Sequence, residues 1–385
     1  MKRLVAVLSL LGLLASPLAS AVPVTVDPGQ YTGLWRTSAL AGYRNGIQTI
    51  DLPLGTHLFY VAAGTTRSSF NITVTDSGLI SSDNLAAAQG GQNVLNLNTL
   101  TVDIDPQAYQ GRWSIYAGRV RNNGFQSIVL VPGLAYRLRV ADYISEGDFE
   151  FFLDASGEVV SGNPTAAVGG AASLRLNNST ITINPNRYSG SWGVYAATSS
   201  HRGRQDVVLV PSLGYVLRIV DFTNRADFIF TVDADGIVRS RNSGAASGGK
   251  NRLDLNNINV VINPNDYLGQ WKINSATSWL SGLQDVVLIP SLTYTMRVGG
   301  YSQRSEFYFH VAANGMVSSH NSAAANGDNQ RLNFNNTTVT IDPQQYPGLW
   351  RLYAASGDLY GSHVITLVPA LSYHLRIAGT RVITC

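Results

Sequence analysis

Catalysis needs nucleophiles, acids, bases or metal ligands at workable spacing, and this 385-residue chain offers few of them. Its six histidines, His57, His201, His310, His320, His363 and His374, form no H-x-x-x-H or similar ligand pair, which gives no support for zinc or for histidine-activated nucleophiles. The segment Asp233-Ala-Asp235-Gly236 has the opening of a calcium loop, yet no glutamate closes it at the right distance, so a hairpin turn accounts for it. Acidic residues Asp148, Asp206, Asp227, Asp285 and Glu306 could pair across strands as glycosidase carboxylates do, but nothing marks any two as partners. Gly90-Gly91 is not placed as a phosphate loop between strand and helix. The expectation is a chain without catalysis, metal or cofactor.

The elements that would position any site announce themselves by repetition. Tyr-x-Gly-x-Trp occurs five times, with tryptophans at Trp35, Trp113, Trp192, Trp271 and Trp350, spaced by 78, 79, 79 and 79 residues. Pro53, Pro132, Pro211, Pro290 and Pro369 keep the same step. A fixed period decides architecture before local reading does, and the copies provide an internal alignment. The divisions read as 22–101, 102–180, 181–259, 260–338 and a partial copy at 339–385. Ahead of them, Lys2, Arg3, the apolar run Leu4 to Leu14 and Ala19-Ser20-Ala21 read as a signal peptide over residues 1–21.

Within a copy the pattern is two-residue alternation bounded by turn residues, without a helical period. In the third copy Ile181 to Ile183 leads to Tyr188, Gly190 and Trp192 on one strand face, followed by Val207 to Val210, Tyr215 to Val220, and Phe228 to Val232 turning at Asp235-Gly236. Leu253 to Leu255 then meets Asn256-Asn257 and returns as Val260 to Ile262, which reads as a hairpin. Asn84, Asn163, Asn242 and Asn321 open Ala/Gly-rich loops in which a single capped helical turn fits, a glycan or metal site at the asparagine being the other reading. Six or seven strands per copy predict an all-β chain of tandem small antiparallel Greek-key-like β-sandwiches. The alternative is repeats sharing sheets in a closed propeller-like arrangement.

Leu130-Val-Pro132-Gly-Leu-Ala-Tyr136, with copies around Tyr215, Tyr294 and Tyr373, resembles the tyrosine corner of fibronectin type III and related immunoglobulin-like modules. The resemblance covers about ten residues per copy and implies a kind of fold, with the tyrosine hydroxyl bonding back to the chain. The first copy has His57 at that place. Such modules in tandem usually act as spacers or adhesive segments, which the resemblance implies for this chain.

The five tryptophans and these tyrosines read as core. Arg139, Arg218, Arg297 and Arg376, where the first copy has Tyr60, read as strand-face ion-pair residues. Ligand contacts are sought where copies differ, in the loop after the Trp strand, which carries Arg119 and Arg121 in one copy, His201, Arg202 and Arg204 in another, and Trp279 in a fourth. Without Lys2 and Arg3 the formal charge falls from +3 to about +1, which disfavours nucleic acid and other polyanions. The single cysteine, Cys385, allows no intrachain disulfide. The fifth copy stops after Ile377 without its Phe-x-Phe and Asn-Asn segments, which predicts open strands and self-association. Together these predict an exported surface or extracellular structural or adhesive element, secreted, cell-surface or periplasmic, meeting other surface proteins or glycans. The alternative is a glycan-binding protein using the variable loops.

Overall fold

A computed structural model describes residues 21–61, 68–116, 121–141, 144–219, 226–299, 305–353 and 355–377. The signal segment, Arg119 and Cys385 lie outside these residues, apart from Ala21. By its internal contacts the chain divides into two compact units. One holds the first copy with Val129–Tyr136 and Phe152–Gly157, and the other holds the rest from Val102.

In the first unit, copy 1 has eight strands: β1 (Ala21–Asp27), β2 (Trp35–Thr37), β3 (Gln48–Pro53), β4 (Gly55–Val61), β5 (Ser69–Val74), β6 (Ile80–Ser82), β7 (Ala88–Gly91) and β8 (Val94–Leu97). They form two four-stranded sheets, ordered β3-β1-β8-β7 and β2-β4-β5-β6. Alternation puts Val24, Val26, Leu52, Phe59, Val61 and Ile72 inside, all fully buried. Trp35 stacks on Phe59 with ring centroids 5.5 Å apart. In the second unit the same eight strands recur in copy 3 from Ser179–Asn184 to Arg252–Leu255, and in copy 4 from Ile258–Asn263 to Arg331–Phe334. The described part of copy 5 has four strands in two pairs, Thr337–Ile341 with His363–Leu367 and Trp350–Leu352 with Leu375–Ile377.

Four expectations are corrected. Each of these sheets draws its strands from one copy and none closes, so the propeller-like alternative is set aside. Eight strands replace six or seven, because the Gly-rich Ala88–Gly91 and its counterparts Ala246–Gly249 and Ala325–Asp328 are strands. At Gly90, Gly248 and Gly327 a Cβ would stand about 2 Å from the carbonyl oxygen of Ile80, Val238 or Val317, so these glycines let two backbones meet. Third, Asn256-Asn257 is not a hairpin turn. The strand before it runs parallel beside the first strand of its own copy (Ile183 opposite Leu253), and the strand after it opens the next copy. β1 and β8 show the same parallel pairing, with Val26 opposite Leu95. The asparagines are anchors: Asn256 Nδ2 donates to the Ser243 and Gly244 carbonyls, and Asn257 Oδ1 accepts the Arg187 N–H at 2.6 Å. Finally, Tyr188 and Gly190 precede the short strand Gly193–Val194 rather than lying in it.

Candidate functional site

The variable loop is built on the tryptophan. All five indoles are at most 2% exposed. Each indole N–H donates to the carbonyl of a glycine eleven residues on, Gly46, Gly124, Gly203, Gly282 or Gly361, at 3.0–3.2 Å. These glycines sit at φ from +63° to +66°, which an L side chain rarely adopts. Backbone bonds between the tryptophan and the residue nine positions on, such as Trp192 and His201, close the same loop. Its path is therefore fixed while its tip residues vary.

The tip positions hold different chemistry. Trp279 is 37% exposed, and the Lys272 ammonium lies 5.2 Å from its ring centroid, a cation–π contact. The same place in copy 1 has Tyr43 under the Arg36 guanidinium at 5.1 Å, and in copy 5 Asp358 at 3.8 Å from Arg351. Trp279 is thus one solution to a recurring cross-strand pairing. In copy 3 the His201 ring lies against Trp192, with centroids 5.3 Å apart, Arg202 Nε donates to Ser191 Oγ at 3.3 Å, and Arg204 is exposed. Arg121 is also exposed.

Junctions between successive copies turn these loops into grooves. Asn84 Oδ1 accepts the Ala87 N–H, capping one helical turn, while Nδ2 donates to the Gly133 carbonyl of the next copy at 2.9 Å. Asn242 repeats this with Ala245 and Ser291. Both ends of its amide serve the scaffold. Arg112 N–H donates to the Ala196 carbonyl at 2.8 Å, and Ser191 N–H to Ser275 at 3.1 Å. Ala196 and Ser275 reach these positions at φ +56° and +57°. A Cβ on Gly190 would stand 2.7 Å from the Ser275 oxygen. Between copies 2 and 3 a groove of about 530 Å³ is lined by Gln110 and Arg112 on one side and by Thr198, Ser199, His201 and Asp206 on the other. The counterpart between copies 4 and 5, about 670 Å³, has Leu268, Gln270, Leu359 and Val364 at the corresponding places. His201 thus joins Arg112 and Gln110, which attracted no notice in the sequence. Their signal is variation at the first and third residues before each tryptophan. Trp279 lines neither groove.

Other polar groups are committed to the scaffold. The hydroxyls of Tyr136, Tyr215 and Tyr294 each donate to and accept from the backbone of Val131, Val210 or Ile289 at 2.8–2.9 Å. Tyr373 does the same with Val368, although it is only half-buried. In copy 1 His57 Nε2 meets the Pro53 carbonyl at 2.7 Å instead. Burial pushes the phenols of Tyr136, Tyr215 and Tyr294 well above their ordinary range, and the facing phenols of Tyr31, Tyr109 and Tyr188 from the preceding copies add to the shift. Arg139 and Arg218 grip Asp148 and Asp227 through two guanidinium nitrogens each, and Arg297 pairs with Glu306. Asp233 accepts from the Asp235 and Ile237 amides and from Arg239, so this turn is a hairpin. Among the described residues no three His, Cys, Asp or Glu side chains are grouped to hold a metal, and no helix is long and apolar enough to cross a membrane.

No family model matches the chain, and no curated protein matches it. Among solved structures it is similar to the pilus adhesin SpaC of Lactobacillus rhamnosus GG in its open conformation, at 12% identity and a TM-score of 0.19. That match covers 81% of this chain and 53% of the adhesin, so the chain spans about half the adhesin's length.

Proposed function

We propose that the chain is an exported, non-catalytic repeat protein serving as a structural or adhesive element at the cell surface. One observation carries this reading: the polar side chains kept from copy to copy serve scaffold or junction, as the indole N–H, the corner tyrosine hydroxyl and the capping asparagine do. Of the five acids that could have formed a catalytic pair, Asp148, Asp227 and Glu306 are each held by an arginine. A scaffold repeated so closely suits spacing and display. The test is antibody labelling and protease shaving of intact producing cells, with adhesion of cells lacking the gene. Loss of adhesion with surface labelling supports the reading; an intracellular location or undiminished adhesion overturns it.

A second reading, binding of glycans through the variable loops, is favoured by Trp279, an aromatic ring at a fixed tip held by Lys272 and still partly exposed. A glycan array with the wild type and Trp279→Ala tests it, and a hit lost on mutation supports it.

A further inference from the structure

We propose that the groove between copies 2 and 3 binds a carboxylated polysaccharide, a sugar chain carrying uronate-type acids. This rests on the glycan-binding reading and gives it a second place and a ligand class. The near-neutral whole chain conceals an asymmetry, because residues 179–257 hold nine Lys and Arg against six Asp and Glu. Several of these cations are neutralised: Arg218, Arg239 and Arg252 pair with acids of their own copy, and Arg241 reaches Glu146. Arg112, which lines the groove, has no carboxylate partner among the described residues, and neither do Arg202 and Arg204, which follow the lining residue His201 on its loop. All three are exposed.

Guanidinium groups bind carboxylates with two parallel donors, and such charge-assisted bonds are the strong ones. The lining offers the Gln110 amide and the Ser199 hydroxyl, partners suited to sugar hydroxyls. The one acid in the lining, Asp206, accepts the Thr182 hydroxyl at 2.6 Å. It also discriminates. The outer strand Gln205–Leu209 forms part of the wall, and an extended peptide could add to its edge, but a charge there opposes strand addition, which a sugar chain does not need. The groove between copies 4 and 5 supplies a comparison within the same chain, its one arginine, Arg351, facing Asp358 at 3.8 Å. There Gln110, Arg112, His201 and Asp206 are replaced by Leu268, Gln270, Leu359 and Val364, and the loop carries Tyr360 and Ser362 in place of Arg202 and Arg204.

The experiment is calorimetric titration of the full chain with oligogalacturonate, with the same oligomer methyl-esterified, and with poly-glutamate, at low and physiological salt. The acid oligomer should bind, weaken with salt, and lose at least about tenfold in affinity when esterified. Arg112→Ser and Arg202→Ser should each cost about tenfold, while Leu268→Ser in the other groove should change nothing. Equal binding of acid and ester, poly-glutamate binding as tightly as the uronate, or indifference to both arginine substitutions overturns the proposal. The ester comparison needs no variant, so it stands even if a substitution harms folding. A wild type that binds neutral glycans but not the uronate overturns the groove assignment alone. One that binds no saccharide at all overturns the glycan-binding reading with it.

Discussion

At the scale of the residue, the most consequential groups are buried polar ones with single duties. Tyr215 satisfies both the N–H and the carbonyl of Val210, so Tyr215→Phe leaves two buried backbone groups unpaired with little change of shape. Urea unfolding should show a loss of about 1–3 kcal/mol, and an unchanged midpoint would mean that water takes the hydroxyl's place. The Arg218–Asp227 pair makes a pH-dependent case. Burial raises the Asp227 carboxyl above its usual value, and Arg218 pulls it part of the way back. An acid whose pKa is higher folded than unfolded holds its proton better when folded. Its charge therefore costs stability above the unfolded pKa, and the cost is relieved as pH falls through the folded one. Arg218→Met should lose about 2 kcal/mol at neutral pH and regain part of it as pH falls toward about 4. A deficit equal at every pH would show that lost packing, not lost charge, is responsible.

At the scale of the element, the junctions between copies decide the behaviour. Ala196 offers its carbonyl to Arg112 from a left-handed conformation. Ala196→Gly should therefore stabilise the chain slightly, by about 0.5 kcal/mol in thermal or urea melts. Gly190→Ala should do the reverse, since its Cβ would press on Tyr188 and the Ser275 carbonyl. Asn242→Ala removes a cap and a bond to the next copy together and should cost about 1–2 kcal/mol; a loss confined to a few tenths would place the junction's strength elsewhere. These elements were only partly legible in the sequence. Val24, Val26 and Trp35 declared their strands by alternation and period. The partnership of Leu253 with Ile183 did not, because parallel pairing leaves no mark in the residues between, and Asn256-Asn257 has the composition of a turn. Gly248 and Gly249 likewise hid a strand, since residues chosen for close backbone approach have poor strand propensity.

At the scale of the whole molecule, the candidate site was the least legible part. His201, Arg202 and Arg204 could be singled out as a variable loop, but Arg112 lies in the preceding copy, and only the junction bond to Ala196 shows that the two face one groove. The parallel contact inside each complete copy has a mechanical meaning. The first and last strands of a copy run side by side in the same direction, and the chain enters at the start of one and leaves at the end of the other. A pull along the chain therefore slides the two strands past each other and loads their slanted hydrogen bonds all at once, in shear, instead of opening them one by one. Single-molecule stretching should show tall, evenly spaced unfolding peaks, each releasing roughly 25 nm of chain. A fibre made of such copies would hold its length under tension and yield in steps.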